Sequence, residues 1–198
     1  MRVSRTRRKK RLRRATKTSL IFLLIALILL PIFLFSSEPI QNQIYPLKYS
    51  TIVESVAEEH RFPPSLIYAV IYAESKFNPN ALSSANAKGL MQITDETYQW
   101  ACNRIGKEAT DSDSLFDPKT NITCGGLILR LLVDRFENIE TALAAYNAGQ
   151  GKVTKWLSDP AYSKDGKTLT HIPYAETENY VRRVINTQKK YQTLYNIP

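Results

Sequence analysis

From about residue 50 onward, apolar positions recur at intervals of three and four, and Gly and Pro punctuate the stretches between them. No stretch shows the alternation of a half-buried strand, so the spacing predicts an all-α domain. Thr51, with Glu54 three residues on, fits a capping box opening a helix that ends near His60. Pro63 and Pro64 reset the chain. A second helix is expected over about Ser65–Ser75, with Ile67, Val70, Ile71 and Glu74 on one face. Later helices are expected to open at Thr94 and at Asp117, where Pro118 suits the first helical position. Another spans about Ile139–Ala148 with Gly149 as its stop, and the last begins near Pro173.

Ahead of this domain the pattern changes. An apolar run from Leu20 to Phe35 is constrained only by Pro31. As a helix it reaches roughly 24 Å, short of a hydrocarbon core of about 30 Å by an amount that snorkelling of Lys17 can close. A signal peptide also pairs basic residues with a short apolar region. A cut after Ser36 or Ser37, however, would leave Leu34 or Phe35 where a small residue is expected. We read 1–18 as a basic cytoplasmic tail, 19–36 as an uncleaved transmembrane anchor, 37–44 as a polar linker holding Pro39, and 45–198 as the folded domain. The positive-inside rule then sets the domain outside the membrane.

The formal charge of +9 would suit a nucleic-acid or membrane partner, but its distribution decides between them. Residues 1–18 hold 10 of the 27 basic residues and no acid, leaving 17 bases against 18 acids in the rest. A near-neutral folded part lacks the basic stripe of a nucleic-acid-binding domain. The tail therefore points to the membrane, and no nucleic-acid partner is expected.

Glu74 falls on the apolar face of its helix, where another aliphatic residue would fit the pattern. Burial favours the neutral carboxyl and raises its pKa, which suits a general acid working near neutral pH. The same position also fits a half-solvated residue at a helix end, or a partner for Lys76, and periodicity does not choose among these. Saccharides present apolar ring faces edged with hydroxyls, so aromatic rings and planar amides such as Gln92, Tyr146, Asn147 and Tyr180 are suited to bind them. Packing alone would equally account for Tyr146 and Met91. Glu176 and Tyr180 lie four apart in the last expected helix and share a face.

Four segments, in order, narrow these alternatives: Ala73-Glu74-Ser75-Lys76-Phe77-Asn78-Pro79, Gly89-Leu90-Met91-Gln92-Ile93, Ala145-Tyr146-Asn147-Ala148-Gly149-Gln150-Gly151 and Ile172-Pro173-Tyr174-Ala175-Glu176-Thr177-Glu178-Asn179-Tyr180-Val181. Together they resemble the catalytic domain of the soluble lytic transglycosylases, a lysozyme-like family, over roughly Tyr45 to Tyr191. The chain departs from the family pattern at Asn86, where glycine is frequent, and at Asp95, where proline is. The resemblance implies an all-α, goose-type-lysozyme-like domain acting on peptidoglycan glycan strands. It implies that Glu74 is catalytic, that Ser75, Met91, Gln92, Tyr146 and Asn147 bind substrate, that Glu176 supports the cleft beside them, and that Tyr180 contacts substrate or Glu74.

The implied reaction uses one carboxyl as acid and then base, closes a 1,6-anhydro ring on N-acetylmuramic acid and consumes no water. A lysozyme-type hydrolase on the same fold is the alternative within enzymes, and a non-catalytic peptidoglycan tether the alternative outside them. No cofactor or metal is expected, because His60 and His171 lie far apart without the helical pair spacing of a zinc site. Cys102 and Cys124, two cysteines in a domain expected to be exported, are a disulfide candidate. No protein partner is legible.

Overall fold

In the computed structural model the described residues are 22–25, 27–31, 38–109 and 111–198. They belong to two units, Met1–Pro46 and Leu47–Pro198. In the first unit, residues 22–25 and 27–31 are helical and carry exposed large apolar side chains. The basic tail and the rest of the expected anchor lie outside the described residues. Among the described residues no helix is long and apolar enough to cross a membrane. The segment expected as a linker is helical over α1 (Glu38–Ile44), with Pro39 in its first turn, where its missing N–H costs nothing.

The second unit consists of α2 (Ser50–His60), α3 (Pro64–Ser75), α4 (Asp95–Arg104), a 3-10 turn (Ser112–Phe116), α5 (Pro118–Phe136), α6 (Ile139–Ala148), α7 (Gln150–Leu157) and α8 (Ala175–Tyr195). The all-α expectation holds. The extended pieces among the described residues are isolated bridges, Leu82 with Lys88 and Lys88 with Ile93. Helix starts follow local chemistry. The Thr94 hydroxyl accepts from the Thr97 N–H at 3.2 Å, the Asp117 carboxylate from Thr120 at 2.8 Å, and the Asn138 side chain from Thr141 at 2.9 Å.

Two expectations about helix ends are corrected. The capping box at Thr51 does not form. α2 starts one residue earlier, behind Tyr49 in the left-handed region, and no side chain caps it. The last helix opens at Ala175, two residues beyond Pro173. The 3-10 turn and α7 were not legible as elements, being only 5 and 8 residues long.

α3 also differs from its expected one-sided stripe. Ser65, Leu66, Ile67, Tyr68, Ala69, Val70 and Ile71 are all buried, which makes α3 the central helix of its unit, covered on every side. Its most extensive contact is with α8, and α2 covers another side. Tyr68 stacks on Tyr191 of α8 with ring centroids 5.1 Å apart. α5 packs against α2, α4 and α6, and α6 in turn against α7 and α8. Each fully buried Leu or Ile in this core, such as Leu66, Ile67, Ile122 or Leu129, contributes roughly 1.5–3 kcal/mol of transfer free energy.

Candidate active site

α3 leaves the core in its last turn, and Glu74, half-buried, sits there. Directly beyond, Lys76 and Phe77 both take left-handed backbone, φ 50° and 64°. Two successive non-glycine residues in that region carry strain, which the surroundings must hold. Burial of Phe77 beside Tyr68, with centroids 6.3 Å apart, is one restraint. The other is Ser75, whose hydroxyl donates to the Leu90 carbonyl at 2.8 Å and ties the helix end to the loop of residues 81–93.

That loop is built from within. Gly89 has φ 73°, and a Cβ there would come within 2.3 Å of the Leu115 carbonyl oxygen. Asn121, fully buried on α5, accepts from the Met91 N–H at 2.7 Å. Its amide donates to the carbonyls of Lys88 at 2.9 Å and Leu115 at 2.7 Å. One side chain thus binds three backbone groups, two of them in buried hydrogen bonds. Gln92 is left-handed at φ 50°, and its amide donates to Ala81 at 3.1 Å and Gly89 at 2.9 Å. Asn86 has φ 58°, a conformation that Asn tolerates better than most residues. Lys88 binds Asp95 at 2.9 Å and Ser112 at 2.7 Å, anchoring the loop to α4 and the 3-10 turn. The Asp95 hydrogen bond holds the Lys88 pKa above its ordinary value.

Between this loop, α4, α5 and the turn joining α6 to α7 lies a cavity of about 660 Å³. Glu74, Gln92, Tyr146, Asn147 and Glu176 line it together. Burial pushes the Glu74 carboxyl up to about 7, against smaller downward pulls from the Tyr180 hydroxyl and the Arg183 charge. A carboxyl so held is protonated about half the time near neutral pH, and can both give and take a proton. The Tyr180 hydroxyl is buried and completes no hydrogen bond of regular geometry, yet it faces Glu74 closely enough that hydrogen bonding to the carboxyl is the larger of the two downward pulls. Burial raises the pKa of Tyr146 and Tyr180 well above 10, with the Glu74 charge as a further cause, which keeps both phenols neutral. Tyr146 donates to the Met91 carbonyl at 2.9 Å. The Asn147 side-chain oxygen accepts from Thr177 at 2.9 Å.

Three further residues expected at the site, Ser75, Met91 and Tyr180, are not among those lining the cavity. Met91 is fully buried, with its thioether against Gly125, where a Cβ would come within 2.3 Å of the sulfur. Ser75 is spent on Leu90 and Tyr180 is buried; neither lines the cavity. These side chains hold the wall in place. Sequence reasoning missed Asn121, whose only signal was a polar residue among the apolar positions of α5. It also missed Glu96, Thr97 and Trp100 of α4, which line the cavity.

The disulfide candidate is not bridged. Cys102 and Cys124 are buried free thiols on α4 and α5, packing as small apolar groups between adjacent helices. Burial, with Cys102 nearby, pushes the Cys124 thiol up to about 12. Burial lowers the pKa of His60, and neither histidine lines the cavity.

Comparison with known proteins agrees with this geometry. The chain is 33% identical over 144 residues to the soluble lytic murein transglycosylase of Escherichia coli K12, a match covering 71% of this chain and 22% of that one. It is 33% identical over 170 residues to the membrane-bound lytic murein transglycosylase C of Edwardsiella ictaluri, covering 74% and 47%. The chain thus spans between 22% and 47% of the length of these relatives. Among solved structures, an inactive mutant of the lytic transglycosylase Slt from Pseudomonas aeruginosa superposes with a TM-score of 0.68 at 29% identity, covering 78% of this chain and 25% of that one. The 70 kDa soluble lytic transglycosylase of Escherichia coli gives the same TM-score, identity and coverage. The family model described as the transglycosylase SLT domain matches residues 51–169, more than half the chain, and the protein belongs to that family.

Proposed function

We propose that the protein is a peptidoglycan lytic transglycosylase in which Glu74 is the single acid and base. The observation that carries this reading is a carboxyl with its pKa raised to about 7, set in a cavity lined by the amides of Gln92 and Asn147 and the ring of Tyr146. Protonated Glu74 donates to the oxygen joining N-acetylmuramic acid to N-acetylglucosamine, and that C1–O bond breaks. The substrate's own acetamido group supports the developing positive charge, so a second protein carboxylate is unnecessary. Glu74, now ionised, takes the proton of the muramoyl C6 hydroxyl as its oxygen bonds to C1. The products are a free N-acetylglucosamine hydroxyl and a 1,6-anhydromuramoyl end, and Glu74 returns protonated. Burial serves both halves, because it holds the pKa between those of an ordinary acid and an ordinary base.

Gln92, Tyr146, Asn147 and Glu176 bind the strand in this reading, while Ser75, Met91 and Tyr180 position the wall and Glu74. The test is digestion of purified peptidoglycan with product masses. Anhydromuramoyl ends, lighter by one water than hydrolysis products, are expected. Reducing ends would instead assign a lysozyme-type hydrolase, and intact strands a tether.

We further propose that residues 19–36 anchor the protein in the membrane with 1–18 in the cytoplasm. The ten basic residues ahead of the apolar run support this, as do relatives described as membrane-bound. Protease added to spheroplasts is expected to remove the domain and spare the tail. A mature chain beginning near Glu38 would show a cleaved signal.

A further inference from the structure

Trp100 is half-buried on α4 and lines the same cavity as Glu74, with Glu96 and Thr97 lining it from the preceding turn. Residues four apart share a helix face, so the indole and the Glu96 carboxylate present together. Among the described residues the indole makes no ring contact, cation–π contact or hydrogen bond. The other tryptophan, Trp156, behaves oppositely: it is buried, with its ring 5.1 Å from that of Tyr174. Packing explains Trp156 and leaves Trp100 unexplained.

The second aromatic in the lining, Tyr146, already has its hydroxyl engaged by Met91. Trp100 is thus the aromatic side chain of the lining that no contact within the protein engages. No Lys, Arg or His is among the lining residues, whereas three carboxyl residues, Glu74, Glu96 and Glu176, are. Such a cavity disfavours anionic ligands and suits neutral ones rich in hydroxyl donors. A pyranose has both required surfaces, an apolar ring face for the indole and hydroxyls at its edge for the carboxylate.

We propose that Trp100 and Glu96 form a saccharide subsite, in which the indole stacks on one sugar ring of the bound strand and the Glu96 carboxylate accepts hydrogen bonds from that ring's hydroxyls. The proposal rests on reading the cavity as a glycan cleft. Neither residue transfers a proton; they set which strands are held and how tightly.

The experiment uses the full-length protein and a soluble N-acetylglucosamine oligomer as the probe. Because the chain has two tryptophans, Trp156→Phe leaves Trp100 as the sole indole emitter. Its emission is expected to shift to the blue and saturate as oligomer is added. Trp100→Ala is expected to weaken oligomer binding on the order of ten- to hundred-fold, the scale of losing a central interface tryptophan, and Trp100→Phe to retain part of it. Glu96→Gln is expected to weaken binding less. On peptidoglycan the loss from Trp100→Ala should fall mainly on KM rather than kcat.

No emission change at saturating oligomer, or unaltered affinity in Trp100→Ala, would overturn the proposal. Should Trp100→Ala fail to fold, the emission titration alone decides. Trp100-dependent binding without anhydromuramoyl products would leave the subsite standing and remove the transglycosylase reading. Normal products with Trp100-independent binding would do the reverse.

Discussion

Replacing Glu74 by Gln is expected to make the folded domain more stable above pH 7, although it removes the group on which the proposed reaction depends. Folding raises the Glu74 pKa from an ordinary 4.5 to about 7, chiefly through burial, so the folded state prefers the neutral carboxyl. Below pH 4.5 the carboxyl is protonated whether folded or not, and it costs nothing. Between 4.5 and 7 the folded state binds more protons than the unfolded state, so this group's contribution to stability falls as pH rises. Above 7 the full penalty is present, about 3 kcal/mol at 1.36 kcal/mol per pKa unit. Gln has similar shape and never ionises, so Glu74→Gln escapes the penalty. For a domain of this size that corresponds to a rise in melting temperature on the order of 6–12 °C at pH 8, shrinking to nothing near pH 4. Thermal melts of both proteins across pH 4 to 9 read the difference directly. Parallel curves, or a variant less stable than wild type at pH 8, would refute the desolvation argument. In digests the same variant should lose turnover on the order of 10²–10⁴-fold or more, since one group serves both proton transfers.

Tyr180→Phe removes a hydroxyl that lowers the Glu74 pKa, so the alkaline limb of the pH–rate profile is expected to move to higher pH; an unmoved limb would show that the hydroxyl does not act on Glu74. Asn121→Ala leaves the Met91 N–H and the Leu115 carbonyl without the amide that binds them, while the Lys88 carbonyl keeps the Ile93 N–H, and should cost roughly 2 kcal/mol or more in denaturant melts. A loss below about 1 kcal/mol would mean that water replaces the amide. Cys102 and Cys124 should resist thiol reagents in the folded protein and both label once it is unfolded without reductant, whereas no labelling would reveal a bridge.

Much of the helical framework was legible because it is written locally. Thr94, Asp117 with Pro118, and Gly149 punctuate helices through bonds and backbone angles reaching only a few residues. The four motif segments identified the family for a related reason, since they keep particular residue types in order along the chain. Where a local signal had no local competitor, as at Pro64 opening α3, the boundary came out within one residue. Where tertiary packing competed, it failed. The capping box at Thr51 gave way to a left-handed Tyr49, and the expected stripe on α3 became burial on every side because α8 and α2 both cover that helix.

The site shows the same division more sharply. Sequence alone determined that the domain is helical, that the chain's net positive charge comes from the tail, and which family the motifs holding Glu74, Gln92, Tyr146 and Asn147 belong to. Only the tertiary structure decided which side chains face the cavity. Met91 and Tyr180 lie in motifs yet are buried behind the wall, while Trp100 and Glu96 lie outside the motifs and line it. Asn121 reaches the loop from 30 residues away, and Ser75 meets Leu90 across 15. The physical reason is that burial and hydrogen-bond partnership are properties of contacts between distant segments. The raised pKa of Glu74 arises the same way, from how completely other helices exclude water around the last turn of α3.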